Sequence, residues 1–372
     1  MRLALVELRR RPGRFALAGS VLTLIAVLLI FLGGLLDGLT AGSTGALRAQ
    51  SADLFVYSAN SRDSIVRSRI DPAVRREVEA QVGVSRVDGL GSVQLGARVP
   101  GLGPRDLVPM VLFGYSSNPA SFPGPVPPEG KVWADSVLRA DGVRIGSTVR
   151  LGPARTPVEV VGFVEDSRYN AQGTLWGSLG TWRTVQNANR PEARLGPGVV
   201  QALVVEGSVG GSPEALATRI DRATDGATSS LTLDQAIAAL PGVSAQQATF
   251  NQIIGLTVII AILVVALFFA LITVERIGLY GVLKALGASS SRLFAGVLAQ
   301  AVLITVFASA VAALAALALA AVIPEGSVPF EVSAGRLAFS VLFLLLAAVV
   351  GSAFSLRRVL KVDPAVAIGG GR

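Results

Sequence analysis

The sequence predicts an α-helical membrane protein with four transmembrane helices and an α+β extracytoplasmic domain inserted between the first and second spans. Three observations carry that prediction. The 372-residue chain is 51% hydrophobic and only 16% charged, with a mean hydropathy of +0.60. It holds four uncharged apolar runs, each long enough to cross a hydrocarbon core of about 30 Å at about 1.5 Å per helical residue. Between the first two runs, residues 37–252 alternate strand-like and helix-like patterns and contain most of the prolines.

A basic segment, 1–14, opens the chain. The first span follows at 15–36, FALAGSVLTLIAVLLIFLGGLL. A cleavable signal peptide is the alternative, but the run exceeds the roughly 7–15 residues of such an apolar region, and Thr40-Ala41-Gly42 is a weak cleavage site. The remaining spans are placed at 253–274, 293–323 and 337–356, with a cytoplasmic loop at 275–292, a short external loop at 324–336 and a tail at 357–372. Lys and Arg near span ends set orientation. With the N-terminus inside, the three cytoplasmic pieces hold twelve Lys/Arg against three Asp/Glu, a net of +9, and the rest of the chain is left with 21 basic and 22 acidic residues. The formal charge of +8 is therefore a topology signal and not a nucleic-acid footprint, for which a clustered basic face would be needed.

Within 37–252, Ala52–Tyr57 and Leu107–Phe113 read as buried strands, with Tyr57 and Met110 as core residues. Asp71–Val82 reads as a helix capped by Asp71 with Pro72 in its first turn. Gly142–Val164 reads as a hairpin around a Gly-Pro turn, Gln201–Glu206 as a strand, and Ser212–Ala223 as a helix opened by Ser212 and Pro213. The flanking pieces, Asp37–Gln50 and Val243–Gln252, are mildly amphipathic. They suit helical stalks better than flexible linkers, although Gly38, Gly42 and Gly45 weigh against a helix in the first. Glu165-Asp166, near Arg168 and Tyr169, suits a solvated loop better than a cleft lining.

Composition excludes several chemistries. With neither Cys nor His, the chain offers no disulfide, thiolate or imidazole metal site and no Ser-His-Asp or Cys-His nucleophile. No catalytic residue, resident cofactor or metal site is expected. No Asp, Glu, Lys or Arg lies inside a span, so no ion relay is indicated. Gln300, in the third span, suits a helix-to-helix hydrogen bond better than a ligand contact.

The loop after the second span reads VERIGLYGVLKALGASSSRLF, Val274–Phe294. Ile277, Leu279, Val282, Leu283 and Leu286 form a stripe near helical spacing, and Gly287 suits a C-cap. The pattern alone fits equally an interfacial anchor, with Arg276 and Lys284 reaching headgroups, and a protein-docking helix. The elements Glu275–Gly278 and Leu283–Ser289 resemble the cytoplasmic loop of FtsX/MacB-type ABC transporter permeases. LALVELRRRPGRF before the first span and Val362–Gly370 are similar to flanking segments of that family, as is the layout of one span, an outer domain and three spans. SADLFVYS and VLFGYS resemble its DevC-like exporter branch.

That resemblance implies a coupling helix, with Glu275, Arg276, Ile277, Gly278, Leu283, Lys284, Leu286 and Gly287 docking on a separate cytoplasmic ABC ATPase. ATP and Mg would sit on that partner. The chain's one Gly-Lys, Gly130-Lys131, has Pro125 and Val132 where a phosphate loop needs Gly and a hydroxyl. With 14 residues ahead of Phe15, the ATPase is expected on another polypeptide. The resemblance also implies a second permease copy, met through the first two spans; Gly19, Ser20, Thr23, Gly33 and Gly34 are the small residues for that contact, and lipid-facing filler is the alternative for any one of them. Further expected partners are membrane lipid and a periplasmic or extracellular adaptor, with no nucleic acid. The implied function is the permease of an ATP-driven exporter acting by mechanical transmission, in the bacterial inner membrane with both termini cytoplasmic, moving an amphiphile. The alternatives are an FtsX-like signalling permease that controls an envelope enzyme, and haem or peptide efflux.

Overall fold

The computed structural model describes residues 12–50, 52–103, 105–117, 122, 124–275, 278, 282, 286, 289–323 and 328–360. The chain divides into two compact units, one of residues 1–38 and 247–372 and the other of residues 39–246.

The first unit is helical. Among the described residues, four helices are long and apolar enough to cross a membrane. They are α1 (Pro12–Arg48), α6 (Val243–Glu275), α7 (Ser290–Val322) and α8 (Ala334–Leu360), the numbers 2 to 5 belonging to shorter helices of the second unit. Both expected stalks are helix: α1 runs through Gly38, Gly42 and Gly45, and α6 begins at Val243. Lipid offers apolar side chains no hydrophobic drive toward one another, so helix association relies on close van der Waals packing. Small residues supply it. Ala301, Ala308, Ala312 and Ala316 of α7 form a buried seam against Leu22, Ala26 and Ile30 of α1, Ala261, Val265 and Phe269 of α6, and Ala347 and Ala348 of α8. Gln300 is buried in the same helix.

The second unit is built on a nine-stranded sheet: β1 (Leu54–Ser58), β2 (Val84–Arg98), β3 (Val108–Tyr115), β4 (Lys131–Asp135), β5 (Thr148–Leu151), β6 (Thr156–Val164), β7 (Gly173–Ser178), β8 (Ala202–Gly207) and β9 (Thr228–Thr232). Its order is β3-β7-β4-β6-β5-β2-β8-β1-β9, and β2 pairs β3 as well. The extra pairing closes six strands into a ring, from which the first half of β2 leads into the arm β8-β1-β9. Closing the ring spares its strands a free edge, and β9 is left as the edge strand of the arm. The long β2 makes this possible, pairing β8 through Val84–Leu90 and β3 through Leu90–Ala97. Because side chains alternate along a strand, β3 feeds two cores: Met110 and Leu112 enter one, and Val111, Phe113 and Tyr115 the other.

Four short helices complete the unit: α2 (Pro72–Glu79), α3 (Leu179–Asn189), α4 (Pro213–Ala223) and α5 (Leu233–Ala238). The hairpin forms as the Gly-Pro turn predicts, with β5 and β6 antiparallel. The Ser212 hydroxyl accepts from the Ala215 amide to cap α4. Asp71 does precede its helix, yet its side chain makes no cap bond, and α2 ends at Glu79, short of the expected Val82.

Candidate functional site: the coupling loop, the span junction and the helix clamp

Of the residues expected to form the coupling helix, Glu275 closes α6 and is exposed, and Gly278 and Leu286 are described. The Leu286 amide donates to the Val282 carbonyl at 3.0 Å, one helical turn, and the two side chains are 80% and 49% exposed. Adjacent exposed apolar side chains one turn apart are the raw material of a docking face. Arg276, Ile277, Leu283, Lys284 and Gly287 lie outside the described residues.

The small residues of the first span fall into two groups. Gly19 is half-buried beside Ile304, Thr23 donates its hydroxyl to the Gly19 carbonyl at 2.7 Å, and Ser20 is exposed among Leu17, Leu24 and Leu28. Gly33 and Gly34 are buried under the chain's own segment 329–336. A Cβ on Gly33 would stand 2.6 Å from Arg336 Cδ, and one on Gly34 would stand 2.5 Å from the Phe330 ring and 2.9 Å from the Glu331 carbonyl. Gly38 touches the Pro329 carbonyl in the same way. These glycines admit the connection before α8 into van der Waals contact with α1. Phe330 stacks on Phe31 at 5.4 Å, and the Glu331 amide donates to the Gly34 carbonyl at 3.0 Å.

The junction ends in a charged pair that sequence reasoning did not join. Arg336 Nε donates to both carboxylate oxygens of Asp37 at 3.1 Å, and its Nη2 donates to Oδ1 as well. Ser333 caps α8 by accepting from the Arg336 amide at 3.1 Å, and its hydroxyl donates to Asp37 Oδ2 at 3.1 Å.

In the second unit, Glu165-Asp166 is an exposed loop, as expected, and the residues that follow it, 168–171, clamp α1. The Asn170 and Ala171 amides donate to the Ser43 and Gly42 carbonyls at 3.2 and 3.0 Å, and the Ala46 amide donates to the Arg168 carbonyl at 3.0 Å. Asp166, Asn170 and Ala171 hold φ of 48°, 49° and 59°; for Ala171, with no side-chain oxygen to compensate, that left-handed backbone costs roughly 1 kcal/mol. Behind the loop sits Asp135, 2% exposed. Its Oδ2 accepts from the Ser167 amide at 2.9 Å and hydroxyl at 2.6 Å, and its Oδ1 from the Val137 amide at 3.0 Å. Burial raises the Asp135 carboxyl above the ordinary range, opposed by these donors and by Arg168.

The network continues inward. Thr174 Oγ1 lies 2.9 Å from the Ser167 hydroxyl and accepts from the Trp176 indole at 2.8 Å. Trp176 stacks on Phe113 at 4.6 Å, with Phe122 edge-on at 4.9 Å and Tyr169 edge-on to Phe113 at 5.2 Å. Burial pushes the Tyr169 hydroxyl up to about 12. Ala46 and Leu47 of α1 and Val243 of α6 pack into this same core.

Residues 251–364 match the family described as FtsX-like permease C-terminal. Curated relatives align along their whole length. A putative hemin transport system permease protein HrtB of Staphylococcus epidermidis is 21% identical over 373 residues, covering 100% of each chain. Its counterpart from Staphylococcus haemolyticus is 22% identical over 382 residues, covering 100% of this chain and 99% of that one. Among solved structures, the extracellular domain of the noncanonical ABC-type transporter YknZ from Gram-positive bacteria aligns with 48% of this chain and 99% of its own, at 11% identity and a TM-score of 0.34. The periplasmic region of MacB from Actinobacillus actinomycetemcomitans aligns with 55% and 96%, at 12% identity and a TM-score of 0.33. Four helices able to cross a membrane, with a sheet-rich domain between the first and second, make the chain a multi-pass membrane protein, and its residues 251–364 match the FtsX-like permease family.

Proposed function

We propose that this chain is the non-enzymatic permease subunit of an exporter in which a separate ATPase drives the outer unit by mechanical transmission, and that its cargo is an amphiphile of the hemin class. Permeases of this type partner with a cytoplasmic ABC ATPase. The observation that carries the reading is that α1 and α6 each begin or end in the core of the outer unit, through Ala46, Leu47 and Val243, while contributing most of their length to the spans. Helices built into two cores convey displacement, and no charge relay is needed. The ATPase would grip the loop at 275–292, with Val282 and Leu286 among its contacts.

The cargo assignment rests on the names of the full-length relatives and on chemical fit. Hemin is a flat apolar ring with two carboxylates, and uncharged spans suit a substrate handled at the membrane surface. The described Tyr and Met side chains, Tyr57, Tyr115, Tyr169 and Met110, are at most 5% exposed. They are core residues, so the chain would handle hemin through its apolar faces and carboxylates and not through phenolate or thioether ligation. A homodimer would use the exposed face of α1 around Ser20, Leu17 and Leu24, because Gly33 and Gly34 are covered from within the chain. An adaptor protein remains compatible with this scheme.

The test is copurification followed by assay in lipid nanodiscs. The reading expects an ATP-binding subunit to accompany the chain and hydrolysis to rise several-fold with hemin or a comparable amphiphile. Absence of the partner, or hydrolysis indifferent to every amphiphile, contradicts it. An altered wall-hydrolase activity in a deletion strain would then favour the signalling alternative.

A further inference from the structure

The run Ala41-Gly42-Ser43-Thr44-Gly45-Ala46 is poor helix-forming sequence placed inside a 37-residue helix. Nothing in the membrane crossing asks for it. What it does is uncover the helix backbone. Gly42 and Ser43 carbonyls and the Ala46 amide are shared with the loop at 166–171, and a Cβ on Gly45 would stand 2.4 Å from the Asp166 carbonyl oxygen. A helix laid on a sheet through apolar side chains alone resists sliding and rotation weakly, since such contacts are non-directional. Three main-chain hydrogen bonds fix its register both along and around its axis.

We infer that the loop 166–171 is the joint at which displacement of α1 enters the outer unit, and that Asp135 is the positioning residue that keeps this joint seated. The inference rests on the transmission reading above and names its entry point. The route is continuous: α1 peptide groups, the loop backbone, Ser167, the buried Asp135 and Thr174, and then the Trp176 indole at the centre of the aromatic core. Asp135 belongs to β4 and Thr174 and Trp176 to β7, two strands of the closed ring, so a loop tied to them moves with the ring. Asp135 is buried, with its carboxylate held by Ser167 and the Val137 amide; it acts through the loop. A left-handed Ala171 persists only where its surroundings impose it, and the paired amides of Asn170 and Ala171 are what impose it here.

The test uses the full chain with its ATPase in nanodiscs, with hemin as probe, in the wild type, Asp135→Ala and Gly45→Ala. Gly45→Ala strikes the joint from the helix side and leaves the buried network intact, so it serves if Asp135→Ala folds poorly. Hydrogen exchange is followed in peptides covering 42–48 and 166–172, with 202–207 as reference, beside basal and hemin-stimulated hydrolysis. The expected result is exchange at least about tenfold faster in the first two peptides only, basal hydrolysis within about twofold of wild type, and hemin stimulation cut at least about fivefold. Unchanged exchange in both variants overturns the seating role. Faster exchange with full stimulation overturns the joint. A wild-type complex that hemin and other amphiphiles fail to stimulate overturns the transmission reading and the joint's role in it, while the exchange results from the same samples still decide whether Asp135 seats the loop.

Discussion

Arg336 binds Asp37 through three donor contacts, tying the start of α8 to α1 at the point where Gly33, Gly34 and Gly38 let the intervening segment lie against the helix. Both side chains are less than a third exposed, 29% and 24%, so removing one partner leaves a charge that water only partly satisfies. Arg336→Ala is expected to destabilise the detergent-solubilised protein by about 1–2 kcal/mol, read as a lower thermal midpoint. Asp37→Asn is expected to act in the same direction and more weakly, because it keeps the Ser333 hydrogen bond.

The glycine face gives a steric prediction. Gly34→Val would drive side-chain carbons into the Phe330 ring and the Glu331 carbonyl, whereas a Cβ on Gly335 meets nothing within 4 Å. Gly34→Val should therefore lower the thermal midpoint by an amount corresponding to about 1–3 kcal/mol, and Gly335→Ala should leave it unchanged or slightly raised. Equal midpoints for the two variants would contradict the packing described.

Asp135 sets a pH dependence. Its folded pKa lies above the unfolded carboxylate value of about 3.9, so the folded state binds the proton more tightly and stability falls as pH rises from the unfolded to the folded value. Asp135→Asn should flatten that segment of the stability curve. It should also lower stability by about 1–3 kcal/mol near neutral pH, because the amide presents a donor where the Ser167 amide already donates. Thermal midpoints recorded from pH 4 to 7 check both expectations.

For the loop, Leu286→Asp places a charge on an 80% exposed apolar side chain. Stability should be unaffected within about 0.5 kcal/mol, and copurification of the ATPase should fall severalfold. An unchanged yield of the ATPase would remove Leu286 from the docking face.

Much of this architecture was legible in the sequence. Uncharged length alone located four membrane-crossing helices, buried-strand patterns located β1 and β3, β-branched runs around a Gly-Pro turn located the β5–β6 hairpin, and a strand-like run located β8. The longest strand, β2, was missed because VSRVDGLGSVQLGAR carries three glycines and no sustained alternation; its pairing with three other strands, and not its propensity, makes it a strand. The Asp37–Arg336 pair left a usable signal, since residues following the first span and preceding the fourth share one side of a four-span protein. The clamp left less. Gly42 and Gly45 read as helix breakers when considered locally, and only the partner loop, more than a hundred residues onward, shows that they expose peptide groups for bonding. For Glu165-Asp166 the pattern gave the exposed loop, but nothing in it gave the docking of residues 168–171 on α1.

The central claim is that nucleotide turnover on a separate subunit displaces the outer unit. The absence of native cysteine permits a clean measurement. Spin labels at Ser208→Cys and Leu346→Cys, both exposed positions, report the separation of outer unit and spans in the chain reconstituted with its ATPase. The account predicts that the distance distribution shifts on trapping the ATP-bound state and returns after hydrolysis, and that Leu286→Asp abolishes the shift. A distribution that stays fixed while the complex hydrolyses ATP at its full rate would contradict it.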